Sequence, residues 1–125
     1  MRDYDPYQHA EELGIKVIHR RLTTGTGLWV PDLGVIFIQD GMRVIHDRST
    51  LAHEIGHADL GHWDSRPKHE VMADRYAAER MVDPEQLADL MRWSPDPSRW
   101  SLEMGVSTRL IRVYWNQHRR DLEAA

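Results

Sequence analysis

The segment His53-Glu54-Ile55-Gly56-His57 constrains this chain more than any other. Histidines four apart on a helix share one face at about 5–6 Å, so two imidazoles converge on one ion at roughly 2.0–2.1 Å each. Glu54 sits about 60° round from His57, within reach of a water on such an ion without being a ligand itself. The spacing sets a base beside a Lewis acid, and it requires a helix. The competing reading is an ordinary buried helix with two surface histidines. Against it stand the apolar residues opposite the histidines, Gly56 where a neighbour approaches closely, and a strand-rich segment just upstream.

Composition narrows the donor set. The chain has 125 residues, 41% hydrophobic and 29% charged, which suits one globular unit with a core. Cysteine is absent, so disulfides and thiolate sites are excluded and a metal must sit on nitrogen and oxygen. Net charge is -4, which argues against a binder that coats its whole surface with one sign. Residues 1–91 carry ten basic and sixteen acidic side chains, whereas 92–125 carry six arginines and four acids. The opening Met1-Arg2-Asp3-Tyr4-Asp5-Pro6 has no apolar run behind it, and the longest apolar stretch is Val35–Ile38. A secretory leader and a membrane span are therefore not expected, and the cytoplasm is the expected location.

Periodicity places the motif. Pro6–Gly14 reads as a short helix, 15–22 as a strand, and Thr24-Gly25-Thr26-Gly27 as a turn. Leu28–Val30 and Val35–Ile38 follow as strands, and Asp40-Gly41 reads as a hairpin turn into a further strand, Met42–Ile45. The first third is thus a small, mostly antiparallel sheet. The period then turns helical over about 49–62, with Ser49 or Asp47 as N-cap, over about Lys68–Val82, and from Asp83-Pro84-Glu85 through Met91. Two short helices, about 98–104 and 108–120, flank Gly105-Val106-Ser107. The expected architecture is α+β: residues 1–91 as the metal-bearing unit and 92–125 as a helical extension packed on it.

A site open to water needs a third protein ligand. The motif helix runs about five residues, ~7 Å, past His57 before a polar break, and an antiparallel return brings Glu70 back to the level of His57. Asp74, one turn on, shares the face of Glu70 and is placed to accept the second N–H of a ligand histidine. His62 (about 140° from His57) and His69 (about 100° from Glu70) read as solvated or satisfied histidines rather than ligands, and Glu79 lies too far along its helix. Two imidazoles and one carboxylate favour zinc over harder ions.

These residues resemble the ImmA/IrrE family of zinc metallopeptidases. The likeness rests on Thr50 to His62, on Glu70-Val71-Met72-Ala73-Asp74-Arg75-Tyr76-Ala77-Ala78-Glu79, and on Met81-Val82-Asp83-Pro84. The family's E-x-E-A-N-x-F-A segment supplies the third zinc ligand from its first glutamate, a role that falls on Glu70. Met72, Asp74 and Tyr76 depart from that pattern, and Arg80 stands as one residue extra before the terminal element. The ligand spacing also resembles the wider thermolysin-like zincins. The resemblance implies a zincin-like fold and peptide hydrolysis, with zinc polarising the carbonyl while Glu54 takes a proton from water and passes it to the leaving amine. It further implies a protein substrate, a DNA-binding transcriptional repressor whose cleavage relieves repression, as in mobile elements such as phages. Substrate is expected to add to a sheet edge, Val35–Ile38 or Met42–Ile45. Tyr76 reads as core and His46 as a weak candidate for oxyanion contact.

The tail from Ser98 to Trp115 resembles a helix-turn-helix, with Arg109, Arg112, Arg119 and Arg120 on its second helix. Packing of Leu102, Val106, Leu110, Ile111 and Trp115 on the catalytic unit, or protein contact, is favoured over direct DNA binding by 98–120, because the local excess of positive charge is slight. Two other functions compete with the endopeptidase. One is a metal-bearing regulatory or sensor module that controls transcription without cutting, and the other is a small-molecule amidase.

Overall fold

The computed structural model describes residues 4–124; Met1 to Asp3, part of the segment read as leaderless, and Ala125 lie outside the described residues. The order is α1 (Pro6–Glu12), β1 (Lys16–Arg20), β2 (Gly27–Val30), β3 (Val35–Gln39), α2 (Val44–Asp59), α3 (Pro67–Met81), α4 (Pro84–Trp93), α5 (Pro97–Met104) and α6 (Thr108–Ala124). Short-range chemistry sets most of these bounds. Proline opens α1, α3, α4 and α5, where its missing N–H costs nothing. Asp5, Asp83 and Asp96 cap three of those helices by accepting from Tyr7, Glu85 and Ser98 backbone N–H groups at 2.9, 3.0 and 2.9 Å.

The architecture is α+β, as the sequence predicts, but the sheet is mixed rather than mostly antiparallel. β3 lies in the middle, parallel to β1 (Ile18 opposite Phe37) and antiparallel to β2 (Trp29 opposite Ile36). The reason is topological. The turn after β1 carries the chain one strand-width too far, and the β2–β3 hairpin inserts β3 into the gap. Ile36 and Ile38 of β3 are fully buried and meet Leu51 and Ile55 of α2 in one core cluster. Each such side chain contributes roughly 1.5–3 kcal/mol, so the sheet fixes the face that α2 presents.

The expected strand Met42–Ile45 does not form. Asp40-Gly41 does turn the chain, with Gly41 at φ +77°, but Val44 and Ile45 open α2 instead. β3 already has a partner on each side, so no central edge remains for a returning strand. α2 therefore starts five residues before the expected position, with Arg43 rather than Ser49 or Asp47 at its N-cap. For the same reason Val35–Ile38 is not a sheet edge; the free edges belong to β1 and β2.

A second cluster joins the tail to the rest. Leu110, Ile111, Tyr114 and Leu122 of α6 bury against Ala77, Ala78 and Met81 of α3 and Leu87 of α4. Gly105 turns between α5 and α6 at φ +70°, the Ser107 backbone N–H donates to the buried Ser49 Oγ of α2 at 3.0 Å, and Ser107 Oγ in turn accepts from Leu110 N–H. α6 runs on to Ala124 through a non-helical residue, His118. Among the described residues no helix is long and apolar enough to cross a membrane.

Candidate metal centre

α2 and α3 make their most extensive helix contact around Gly56. A Cβ there would lie 3.1 Å from the Ala73 backbone and 3.2 Å from Tyr76 Cβ, so the absent side chain lets the two helices close. That approach brings Glu70, in the first turn of α3, over the histidines of α2. His53 Nε2 lies 2.7 Å from Glu70 Oε2, and His57 Nε2 lies 3.3 Å from Glu70 Oε1. One donor atom from each of the three falls within 4.8 Å of the others. Ligands at 2.0–2.1 Å around a tetrahedral ion stand about 3.3 Å apart, so small side-chain adjustments would bring these two imidazole nitrogens and one carboxylate oxygen to the spacing of a small divalent ion.

The far nitrogens are occupied in the way ligand histidines require. Asp74 Oδ1 accepts from His53 Nδ1 at 2.8 Å, which leaves Nε2 as the ring atom that faces Glu70 and would hold an ion. The other oxygen, Oδ2, accepts from Arg109 Nε and Nη2 at 3.1 and 2.8 Å. Burial alone would raise the Asp74 carboxyl, yet the hydrogen bonds from His53 and Arg109 hold it below its usual value. Burial likewise opposes charge on His53, but Asp74, Glu54 and Glu70 outweigh it and raise that imidazole.

His57 is served by a residue that sequence reasoning set aside. α2 ends in a turn in which Gly61, at φ +74°, donates to Ala58 O (3.2 Å) and His62 N–H reaches back to His57 O (2.8 Å). This closure folds His62 over His57, their Nδ1 atoms 3.0 Å apart. Donation from His57 leaves its Nε2 free for the cluster. The helical angle of 140° does not apply to His62, because the helix stops at Asp59. His62 also stacks on His69, 3.9 Å between centroids, and His69 pairs with Asp64. The signal was present in Leu60-Gly61-His62, a helix stop rather than a continuing turn.

Glu54 lies beside the cluster, its Oε2 4.0 Å from His53 Nε2. Oε1 accepts the Trp29 backbone N–H of edge strand β2 at 3.0 Å. Gly27 makes that closeness possible: a Cβ would stand 2.7 Å from Thr50 Cγ2 and 2.9 Å from Glu54 Cγ. Glu54 is 8% exposed. Burial, reinforced by Glu70, pushes its carboxyl up to about 7 against the pull of His53 and the Trp29 N–H. A group poised there takes and returns a proton near neutral pH.

The remaining candidates sit elsewhere. Tyr76 is core, its hydroxyl donating to Asp59 at 2.7 Å. Glu79 pairs with His118. His46 is exposed and lines a cleft of about 580 Å³ together with Gly27, His53, Glu54, Glu70 and Arg109. Arg109, read in the sequence as a tail residue, thus belongs to the site; nothing in its spacing signalled this.

A helix bearing two histidines and a glutamate, crossed by a second helix bearing a carboxylate, is the arrangement of a zincin-like fold. The Peptidase_M78 family, described as the IrrE N-terminal-like domain, matches residues 10–124. The chain belongs to this family. Its name makes it a peptidase family, and the match spans the sheet, α2, α3 and all of α6. No curated protein matches the chain.

Proposed function

We propose that the protein is a zinc-dependent endopeptidase that cleaves one specific partner protein, a DNA-binding transcriptional repressor, in the cytoplasm. The convergence of His53, His57 and Glu70 beside a buried carboxylate held on a sheet edge carries this reading. In it His53, His57 and Glu70 hold the metal, Glu54 is the general base and Asp74 orients His53. Residues 1–91 form the catalytic unit and 92–125 the helical extension packed on it. Zinc is preferred because two imidazoles and a carboxylate suit it, and a bound ion would supply a Lewis acid that polarises a carbonyl and acidifies water.

The chain's own residues supply the rest. Substrate backbone adds to the open edge of β2 at Gly27 and Trp29, the strand that borders Glu54, rather than to β3. Entry of an extended chain there competes for the Trp29 N–H and releases Glu54 Oε1 to face water. Glu54 removes a proton from the attacking water and delivers it to the nitrogen of the departing amine. Burial makes this carboxylate a stronger base than an exposed glutamate for the first transfer, and the departing amine, a stronger base still, takes the proton in the second. The apolar stripe of α6 is spent on the protein's own core, which favours packing or protein contact over direct DNA binding by 98–120.

The test is mass spectrometry of candidate repressors, those encoded beside this protein first, after incubation with the parent protein and with Glu54→Gln, zinc content being measured in parallel. A discrete cut made by the parent and lost in a zinc-loaded variant is the expected result. Partner binding without any cut would favour the non-proteolytic regulatory module.

A further inference from the structure

Arg109 is the second residue of α6, and its guanidinium is the only cation from the C-terminal helices that meets the centre among the described residues. It reaches Asp74 through Nε and Nη2, both on Oδ2, while Oδ1 of the same carboxylate serves His53. The Asp74 side chain is 12% exposed, whereas that of Arg109 is 70% exposed. A surface arginine thus reaches down onto a buried carboxylate. The start of α6 is itself pinned to α2 through Ser107 N–H and Ser49 Oγ, four residues before His53. The Ser107 and Arg109 contacts tie the start of α6 to α2 and α3 at once.

We infer that Arg109 is a positioning residue of the metal centre: by fixing the plane of the Asp74 carboxylate it fixes the ring of His53. This rests on the metallopeptidase reading of the site. The physical ground is a count of contacts. A carboxylate with one oxygen bound and the other bare rotates about its Cβ–Cγ bond, and each rotation trades the oxygen facing His53 Nδ1. Two N–H groups from a rigid, planar fork on Oδ2 remove that freedom, and Lys offers no such fork. The C-terminal helices are then part of the centre and not an appendage beside it.

The experiment measures Zn²⁺ affinity by competition with a chromophoric chelator, and the visible spectrum of the Co²⁺-loaded protein, for the parent, Arg109→Ala, Arg109→Lys and Asp74→Asn. Arg109→Ala should weaken Zn²⁺ binding by roughly tenfold, the low end for an outer-shell partner, and alter the Co²⁺ spectrum. Arg109→Lys should recover only part of the loss, and low-millimolar guanidinium should restore Arg109→Ala. In the Asp74→Asn background the Arg109→Ala change should cost little more, because the two act as one unit. Affinity within twofold of the parent with an unchanged Co²⁺ spectrum overturns the inference, as does a loss additive with Asp74→Asn. If the parent itself binds no Zn²⁺, the metallopeptidase reading fails with it; parent binding with an indifferent Arg109 sinks the inference alone.

Discussion

Replacing Glu54 with Gln should make the metal-free protein more stable at alkaline pH, and the structure gives the size. Burial raises the Glu54 carboxyl from 4.5 to about 7. Between those values the folded chain holds a proton that the unfolded chain has lost, so stability falls as pH rises. At 1.36 kcal/mol per pH unit, the accumulated cost by pH 8 is on the order of 3 kcal/mol. Gln is nearly isosteric, stays neutral, and its Oε1 still accepts the Trp29 N–H, so it escapes that cost while keeping the contact. The assay is urea unfolding of both proteins in a chelator at pH 5 and pH 8. With a slope of roughly 1–2 kcal/mol/M, the midpoint of the variant should move up by about 2 M at pH 8 and lie near the parent at pH 5. Saturating zinc should narrow the gap, since a cation nearby favours the ionised carboxylate. Equal stabilities at pH 8, or a less stable variant, would show that Glu54 ionises in place without penalty and would refute the account of its tuning.

Three further substitutions probe how the centre is assembled. Gly56→Ala should cost roughly 1–3 kcal/mol in denaturant unfolding, because its Cβ meets the Ala73 backbone; it should also weaken Zn²⁺ binding by parting α3 from α2, and full stability with full affinity would deny the close crossing its role. His62→Phe keeps the ring that stacks on His69 but removes the partner of His57 Nδ1; Zn²⁺ affinity should fall about 10–100-fold by chelator competition, and an unchanged value would mean that the helix alone orients His57. Gly27→Ala sets a Cβ against Glu54 Cγ, so proteolysis should drop while zinc content stays at one per chain; lost metal together with lost activity would place Gly27 in folding instead.

The parts of the site that were legible in the sequence are those fixed by one helical period. His53, Glu54 and His57 share a turn, and Glu70 and Asp74 share another, so spacing alone ties each set to one face. Pairing the two sets needed only a short polar break, which forces an antiparallel return. What escaped depends on long-range choices. Whether Met42–Ile45 continued the sheet turned on β3 being already flanked, a fact about β1 that no local pattern carries. His62 escapes a helical wheel because α2 ends at Asp59 and Gly61, at φ +74°, turns the chain back over His57. Arg109 lies thirty-five residues from Asp74 in sequence, and only the docking of α6 on α3 brings them together. The edge strand that meets Glu54 was likewise decided by strand order, and it proved to be β2.

The central claim is that one divalent ion is gripped by two imidazoles and the Glu70 carboxylate. Crystals grown with zinc and measured at the zinc absorption edge test it directly. A single strong anomalous peak is expected at roughly 2.0–2.1 Å from Nε2 of His53, Nε2 of His57 and an oxygen of Glu70. A peak elsewhere, or no peak at that point in a zinc-saturated crystal, would contradict it.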